Sequence, residues 1–310
     1  TFMEEKSAQL FVNAPNALEG NYKAKCDTAA AAFQSKESGV VDFTGDEASI
    51  LSQIRTLVSI LPANNEQDLS EEDCQDDLNR MCTGIEGLAG DPVQVLSMIS
   101  DNHFVMEVKK DYEPSMVTAF IRLNGVTVGC VANRTELYED GKKAEEFEAA
   151  LSGKGCDKAV ELINFCDAFS IPLLTLTNVN GYKAKLCSER RIARAAARLT
   201  YAYADATVPK VTVVTGKALG SAGLTMGSKS LGTDLVYAWP NAVIGTMEPE
   251  AAVKIMYAKE IEASEDAVAL INEKAAEYTK VQSGAVAAAR RGYADDIIKA
   301  EETRQRLAAA

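Results

Sequence analysis

The sequence predicts an α/β fold, and three observations carry that prediction. Apolar runs of strand length recur along the chain: LLTLTNV at 173–179, VTVV at 211–214 and LVYAW at 235–239. Longer stretches with helical spacing of apolar residues lie between them, and proline or glycine punctuates the runs. Helices alternating with short buried strands build a layered α/β core, although periodicity by itself does not separate a doubly wound sheet from a spiral of strand-strand-helix turns.

Taken in order, a first segment runs to about Leu61. Ile50, Leu51, Ile54, Leu57, Val58 and Leu61 share one helical face, which Thr44 and Glu47 open in capping-box register. The stretch from Pro62 to Asp77 is polar and acidic, has no apolar periodicity and reads as a linker. A hairpin follows, with MVTAFIRL and VTVGCVAN flanking Asn124-Gly125, the dipeptide best suited to a tight two-residue turn. The acidic stretch from Glu136 to Glu148 reads as a loop and then a solvated helix. Lys158 to Phe169 reads as a helix, Ile171-Pro172 opens the next apolar run, and Gly181 ends it. Ser188 to Ala204 repeats the pattern: Val208-Pro209 opens VTVV, and Gly216 to Gly223 ends it. LVYAW before Pro240 and then AVIGTM supply two more runs, and from Glu250 onward the chain reads as mainly helical.

Composition bounds the function. A chain of 310 residues, 47% of them apolar, fills one large domain or two. A net charge of -13 argues against a nucleic-acid partner, because phosphate binding needs a clustered positive surface. The seven cysteines are odd in number and contain no C-x-x-C pair, which suggests neither a disulfide framework nor a zinc site and fits a reducing cytoplasm. No apolar run approaches membrane-spanning length, and the start has no signal-peptide pattern. A first residue of Thr1 suggests a chain that is trimmed, processed or part of something longer.

The most informative stretch is KVTVVTGKALGSAGLTMG, from Lys210 to Gly227. It reads as a buried strand, a turn of small residues and the opening of a helix, where bare backbone N–H groups favour a developing negative charge. Lys217 stands too early for a P-loop, and Gly216, Gly220 and Gly223 lack the dinucleotide spacing. Close helix-strand packing remains an equal reading. Val179-Asn180-Gly181-Tyr182 occupies the matching place after the preceding run, so two turns would converge on one crevice. Six basic residues between Lys183 and Arg198 stand against the single acid Glu189, and a solvated face explains them better than contact with CoA phosphates or an acidic partner. The single histidine, His103, reads as a loop-ordering residue and Trp239 as core; Glu248 and Glu250 flank Pro249 at a helix start, where capping explains them better than a general-base role.

INFCDAFSIPLLTLTNVNGY, LTYAYADATVPKVTVVTGKALGSAGLTMGSKSLGTDLVYAWP and RRGYADDIIKAEETR resemble the carboxyl-terminal half of biotin-dependent acyl-CoA carboxyltransferases. That family includes propionyl-CoA carboxylase beta subunits and the carboxyltransferase subunits of methylmalonyl-CoA and glutaconyl-CoA decarboxylases. The resemblance implies a crotonase-like fold of the ClpP/crotonase kind, a spiral of strand-strand-helix turns normally present twice. Residues 1–66 would be the tail of the amino-terminal carboxyltransferase domain, and residues 67–310 the carboxyl-terminal, biotin-side domain.

The same resemblance implies the chemistry. A carboxyl group moves between carboxybiotin and the alpha carbon of a short acyl-CoA, and the protein's part is to stabilise two oxyanions. By carry-over, the N–H groups of Ser221 and Ala222 face the biotin carbonyl, and Val179, Asn180, Gly181, Tyr182, Gly220, Gly223 and Leu224 contribute to biotin binding. No metal is expected. The family's GGAY stands here as Gly220-Ser221-Ala222-Gly223, followed by Leu224, and its V-P-G-F as Val179-Asn180-Gly181-Tyr182. Implied partners are a biotin carboxyl carrier protein, biotin carboxylase or membrane decarboxylase subunits, and further copies of the chain, one of which supplies the acyl-CoA half-site. The alternatives are a crotonase-like CoA-thioester hydratase or hydrolase using an acid or base such as Glu248, and a non-catalytic scaffold subunit.

Overall fold

The computed structural model describes residues 1–66 and 73–310. Part of the stretch read as a linker, 67–72, lies outside the described residues. Helix α1 (Glu47–Ile60) begins at Asp46, whose carboxylate accepts from Ser49 N–H at 2.8 Å. The expected cap, Thr44, instead sits in a strand paired in parallel with Met3, so its backbone is already committed. The apolar face of α1 divides. Ile60 is buried and Leu57 and Leu61 pack on the main core, whereas Leu51 and Val58 are exposed.

The main sheet takes its strands from widely spaced parts of the chain. After α2 (Pro92–Ile99) come β1 (Val105–Val108), β2 (Met116–Leu123) and β3 (Val126–Asn133). Helix α3 (Gly153–Ala168) leads to β4 (Leu173–Val179), and α4 (Ile192–Asp205) leads to β5 (Lys210–Leu219). The short helix α5 (Gly220–Thr225) follows directly, then β6 (Leu235–Ala238) and β7 (Val243–Gly245). Helices α6 (Pro249–Met256), α7 (Ala267–Tyr278) and α8 (Ala285–Arg290), the short strand β8 (Asp296–Ile297) and α9 (Thr303–Ala308) complete the labelled elements.

The strands lie in the order β8-β6-β5-β4-β3-β2-β1, with β7 beside the end of β5. The β1-β2-β3 ladder is antiparallel and the pairs from β3 onward are parallel. Asn124 and Gly125 turn the β2-β3 hairpin with φ of 53° and 80°, as the dipeptide predicts.

Both sheet faces are covered, which is why the strands read as near-continuous apolar runs rather than alternating ones. Phe120, Val131 and Leu173 face α3 and α4, where Ile163, Cys166, Leu199 and Tyr203 are buried. Their neighbours Ile121, Cys130, Ala132, Leu174 and Leu176 point the other way, onto Leu96 and Ile99 of α2, Leu307 of α9 and Trp239. Trp239 is core, as expected, with its indole N–H donated to Thr303 Oγ1 at 3.0 Å. Residues 136–146 depart from the expected helix: Glu136–Glu139 and Lys142–Glu146 form an antiparallel hairpin. Asp140-Gly141 at its tip, both with positive φ, supplies a turn that a helix would not tolerate.

One buried charge has a measurable consequence. Lys158 on α3 is 1% exposed, and its Nζ donates to the carbonyls of Tyr112 at 2.8 Å and Met116 at 2.7 Å. Burial pushes its pKa down to about 7. Between that value and the ordinary lysine range the unfolded chain holds a proton that the folded chain lacks, so stability rises with pH there. Measured as urea midpoints, the stability of wild type relative to Lys158→Met is expected to rise on the order of 2 kcal/mol between pH 7 and pH 9. A difference that stays flat across that window would mean that the amine remains charged when folded.

Candidate functional site

Because β4 and β5 are parallel neighbours, the segments that follow them leave the sheet on the same side. Strand β5 is longer than VTVV suggested and runs on through Gly216 to Leu219. Its register with β4 shifts between Val214, opposite Thr177, and Ala218, opposite Val179, so β5 takes four steps where β4 takes two. The side chain of Asn178 fills this irregularity. Its Oδ1 accepts from Lys217 N–H at 3.1 Å, and a Cβ on residue 216 would lie 2.5 Å from that oxygen. Gly216 is therefore a clearance for Asn178, a brace that neither composition nor motif spacing revealed.

The strand passes into α5 without a loop. Gly220 has φ +58°, the left-handed region that glycine occupies at little cost, and it is the first helical residue after the N-cap Leu219. Gly223 allows α5 to lie against the strand end, since a Cβ there would stand 2.5 Å from the carbonyl carbon of Ala218. The packing and functional readings of this glycine-rich run thus apply to different residues. Ser221 faces solvent and Ala222 is buried beneath it. Among the described residues, no backbone acceptor is found for the N–H of either, as expected for the first turn of a helix.

A cleft of about 830 Å³ opens at this junction. Gly220, Ser221, Gly223 and Leu224 line one side, and Tyr278, Gln282 and Arg291 of the carboxyl-terminal helical region line another. Residues 179–182 are not among its lining. Val179 is buried in the main core and Asn180 is exposed. Gly181 and Tyr182 pair in parallel with Ala150 and Leu151, and Tyr182 reaches α5 itself, its hydroxyl 3.0 Å from Thr225 Oγ1. The two turns thus converge on α5, while the cleft is lined from the Gly220 turn.

The remaining candidates separate cleanly. Glu248 stands at the N-cap of α6 without a side-chain capping bond; it pairs with Lys217 Nζ at 2.7 Å instead. In the basic stretch, Arg191 and Arg198 converge on Asp157, the latter at 2.5 Å, an exposed pairing that accounts for part of the charge run. His103 is exposed and orders its loop through Nδ1, 2.9 Å from the Ser97 carbonyl. Among the described residues no His/Cys/Asp/Glu cluster is suited to a metal ion, and no helix is long and apolar enough to cross a membrane.

A mostly parallel sheet covered by helices, with a strand running straight into a short helix beside a cleft, defines the class: a crotonase-like α/β protein. The model of the carboxyl transferase domain matches residues 1–310, and the chain belongs to that family. It is 36% identical over 318 residues to the methylmalonyl-CoA decarboxylase subunit alpha of Propionigenium modestum, covering 99% of this chain and 60% of that protein. To the putative propionyl-CoA carboxylase beta chain of Bacillus subtilis (strain 168) it is 37% identical over 314 residues, again 99% of this chain and 60% of the relative. The transcarboxylase 12S hexamer, solved with methylmalonyl-coenzyme A and methylmalonic acid bound, superposes with a TM-score of 0.86 at 35% identity, covering 99% of this chain and 59% of that one. The chain thus spans about three fifths of the length of these relatives.

Proposed function

We propose that this chain is the biotin-side part of an acyl-CoA carboxyltransferase, moving a carboxyl group between N-carboxybiotin and the alpha carbon of a short acyl-CoA. The observation that carries the reading is the pair of N–H groups at Ser221 and Ala222, with no backbone acceptor among the described residues, beside a cleft of about 830 Å³, a volume in the range of small-molecule sites. Carboxybiotin, when bound, supplies the carboxyl group and the base that takes the alpha proton, which fits a cleft with no histidine in its lining among the described residues. The chain's own task is then electrostatic. The Ser221 and Ala222 N–H groups donate to the ureido oxygen on which negative charge develops, and one such donor is worth about 3 kcal/mol. Gly220, Gly223 and Leu224 shape the wall, and the 179–182 segment supports α5 through Tyr182 and Thr225.

The rest of the site comes from elsewhere in this reading. Residues 1–66 are the tail of an amino-terminal carboxyltransferase domain, residues 67–310 are the carboxyl-terminal domain, and a neighbouring copy supplies the acyl-CoA half-site. The partners are a biotin carboxyl carrier protein with biotin carboxylase or membrane decarboxylase subunits, and the seven free cysteines suit a cytoplasmic location. The ion pair between Glu248 and Lys217 speaks against Glu248 as the base of a hydratase.

Isotopic carboxyl exchange between methylmalonyl-CoA and free biotin, assayed with an acyl-CoA half-site from a relative present, tests the proposal. Exchange that depends on this chain is expected. Its absence, with the chain folded and assembled, removes the reading.

A further inference from the structure

The walls of the cleft carry an unusual charge balance for this chain. Acidic residues outnumber lysine and arginine by 45 to 32, yet among the described residues no aspartate or glutamate lines the cleft. Its two cationic lining residues are Lys229 and Arg291. Lys229 is neutralised by Asp295, 2.9 Å away, and also donates to the Asp234 carbonyl. Arg291 has no carboxylate within ion-pair distance among the described residues. Its guanidinium is held by neutral oxygens alone: the main-chain and side-chain oxygens of Gln282, and more weakly the Val281 carbonyl at 3.4 Å. The positive charge is positioned but not cancelled.

The mounting of Arg291 is tied to the turn that bears Ser221. Gln282 belongs to a π-helical turn, Thr279–Ser283, closed by Gly284 N–H to the Thr279 carbonyl at 2.6 Å. Such turns place a side chain out of ordinary helical register and recur at functional sites. Gly284 bridges to Val243 of β7, and Ser283 packs so closely on Gly245 that a Cβ there would lie 3.1 Å from Ser283 Cβ. Strand β7 pairs with the end of β5, and the Thr246 carbonyl closes on Gly220. Arg291, Gln282 and Ser221 thus border one cleft, linked through β7.

We propose that Arg291, oriented by Gln282, binds the carboxylate of the carboxyl group being transferred, opposite the N–H donors at Ser221 and Ala222. This inference rests on the carboxyltransferase reading above. Arg291 is exposed, so water screens its charge, but its hydrogen-bond partners among the described residues are neutral and its planar fork matches a carboxylate. The carboxylate arrives on the acyl thioester in one direction of reaction and on biotin in the other, so Arg291 distinguishes carboxylated from uncarboxylated ligands.

The test compares wild type, Arg291→Gln and Arg291→Lys in the assembled complex, measuring KM and kcat for methylmalonyl-CoA and propionyl-CoA, with thermal melting as the check on folding. A clamp on the thioester carboxylate predicts that Arg291→Gln raises KM for methylmalonyl-CoA at least tenfold and that for propionyl-CoA less than twofold. A clamp on carboxybiotin predicts instead that carboxylation of propionyl-CoA loses at least tenfold in kcat while both thioester KM values hold. Arg291→Lys, which keeps charge but not the fork, should fall between. Equal changes for both thioesters without a selective loss of kcat, or no change, overturn the assignment of Arg291 while leaving the transferase reading standing. Wild type with no transfer in either direction overturns both.

Discussion

Arg304→Met is expected to lower the stability of the chain by about 3–5 kcal/mol, the cost of removing one partner from a buried charged network. Arg304 is fully buried near the carboxyl end, inside the RRGYADDIIKAEETR stretch. Its guanidinium donates to the Ile99 carbonyl at 2.5 Å, to Asp101 Oδ1 at 2.7 Å and to the Asp77 carbonyl at 3.1 Å, and lies 3.4 Å from Asp76. The methionine variant would leave the buried Asp101 carboxylate, among the described residues, with the Gly125 N–H at 2.8 Å as its remaining hydrogen bond and the more distant charge of Arg80. Asp101 also anchors the Asn124-Gly125 hairpin, so the same residue ties the chain end, the β2-β3 turn and the segment after α2 together. Urea midpoints provide the measurement. Adding Asp101→Leu should recover part of the loss, because an apolar pair costs less to bury than an unpaired carboxylate. A loss below 1 kcal/mol for Arg304→Met would show that solvent already reaches Asp101.

Ser221→Pro is expected to reduce carboxyl exchange by about 10²–10³-fold while leaving the melting temperature nearly unchanged. The residue is exposed and stands second in α5, where its N–H has no intrahelical partner to lose. Ser221→Ala removes the hydroxyl and retains the N–H, so it should keep exchange within a few-fold of wild type. Ala222 is a poorer place for the same test, since it is 1% exposed and a proline ring would have to enter the core around Met226 and Leu199. If Ser221→Pro melts far below wild type, or if Ser221→Ala loses as much exchange, the backbone N–H is not the active group.

Much of the fold was legible from the residues that specify it locally. Asn124-Gly125 dictated a hairpin, and the β3, β4 and β5 runs showed continuous apolar character because helices cover both faces of the sheet. Other elements were legible only in part. Thr44-Glu47 carried a capping signal, but a parallel pairing with Met3 claimed Thr44 and left the cap to Asp46. Residues 136–146 are so polar that no apolar period distinguished helix from hairpin, and the Asp140-Gly141 turn decided the matter.

The candidate site divides in the same way. The small residues from Gly216 to Gly223 marked a strand-to-helix junction in the sequence, because glycine and alanine advertise close backbone approach wherever they cluster. What each glycine does depends on a neighbour distant in the chain: Asn178 beside Gly216, Thr246 over Gly220. The sequence by itself determined the α/β class and the strand-to-helix junction of small residues, since these follow from local periodicity and residue size, while the resemblance to the family pointed to Ser221 and Ala222 within it. Only the tertiary structure decided that the cleft is lined from α5 and the carboxyl-terminal helical region, not from residues 179–182, and that Arg291 stands there with no counter-ion among the described residues. Charge neutralisation and cleft shape are set by pairings between elements far apart along the chain, and local patterning carries no record of which carboxylate reaches which cation.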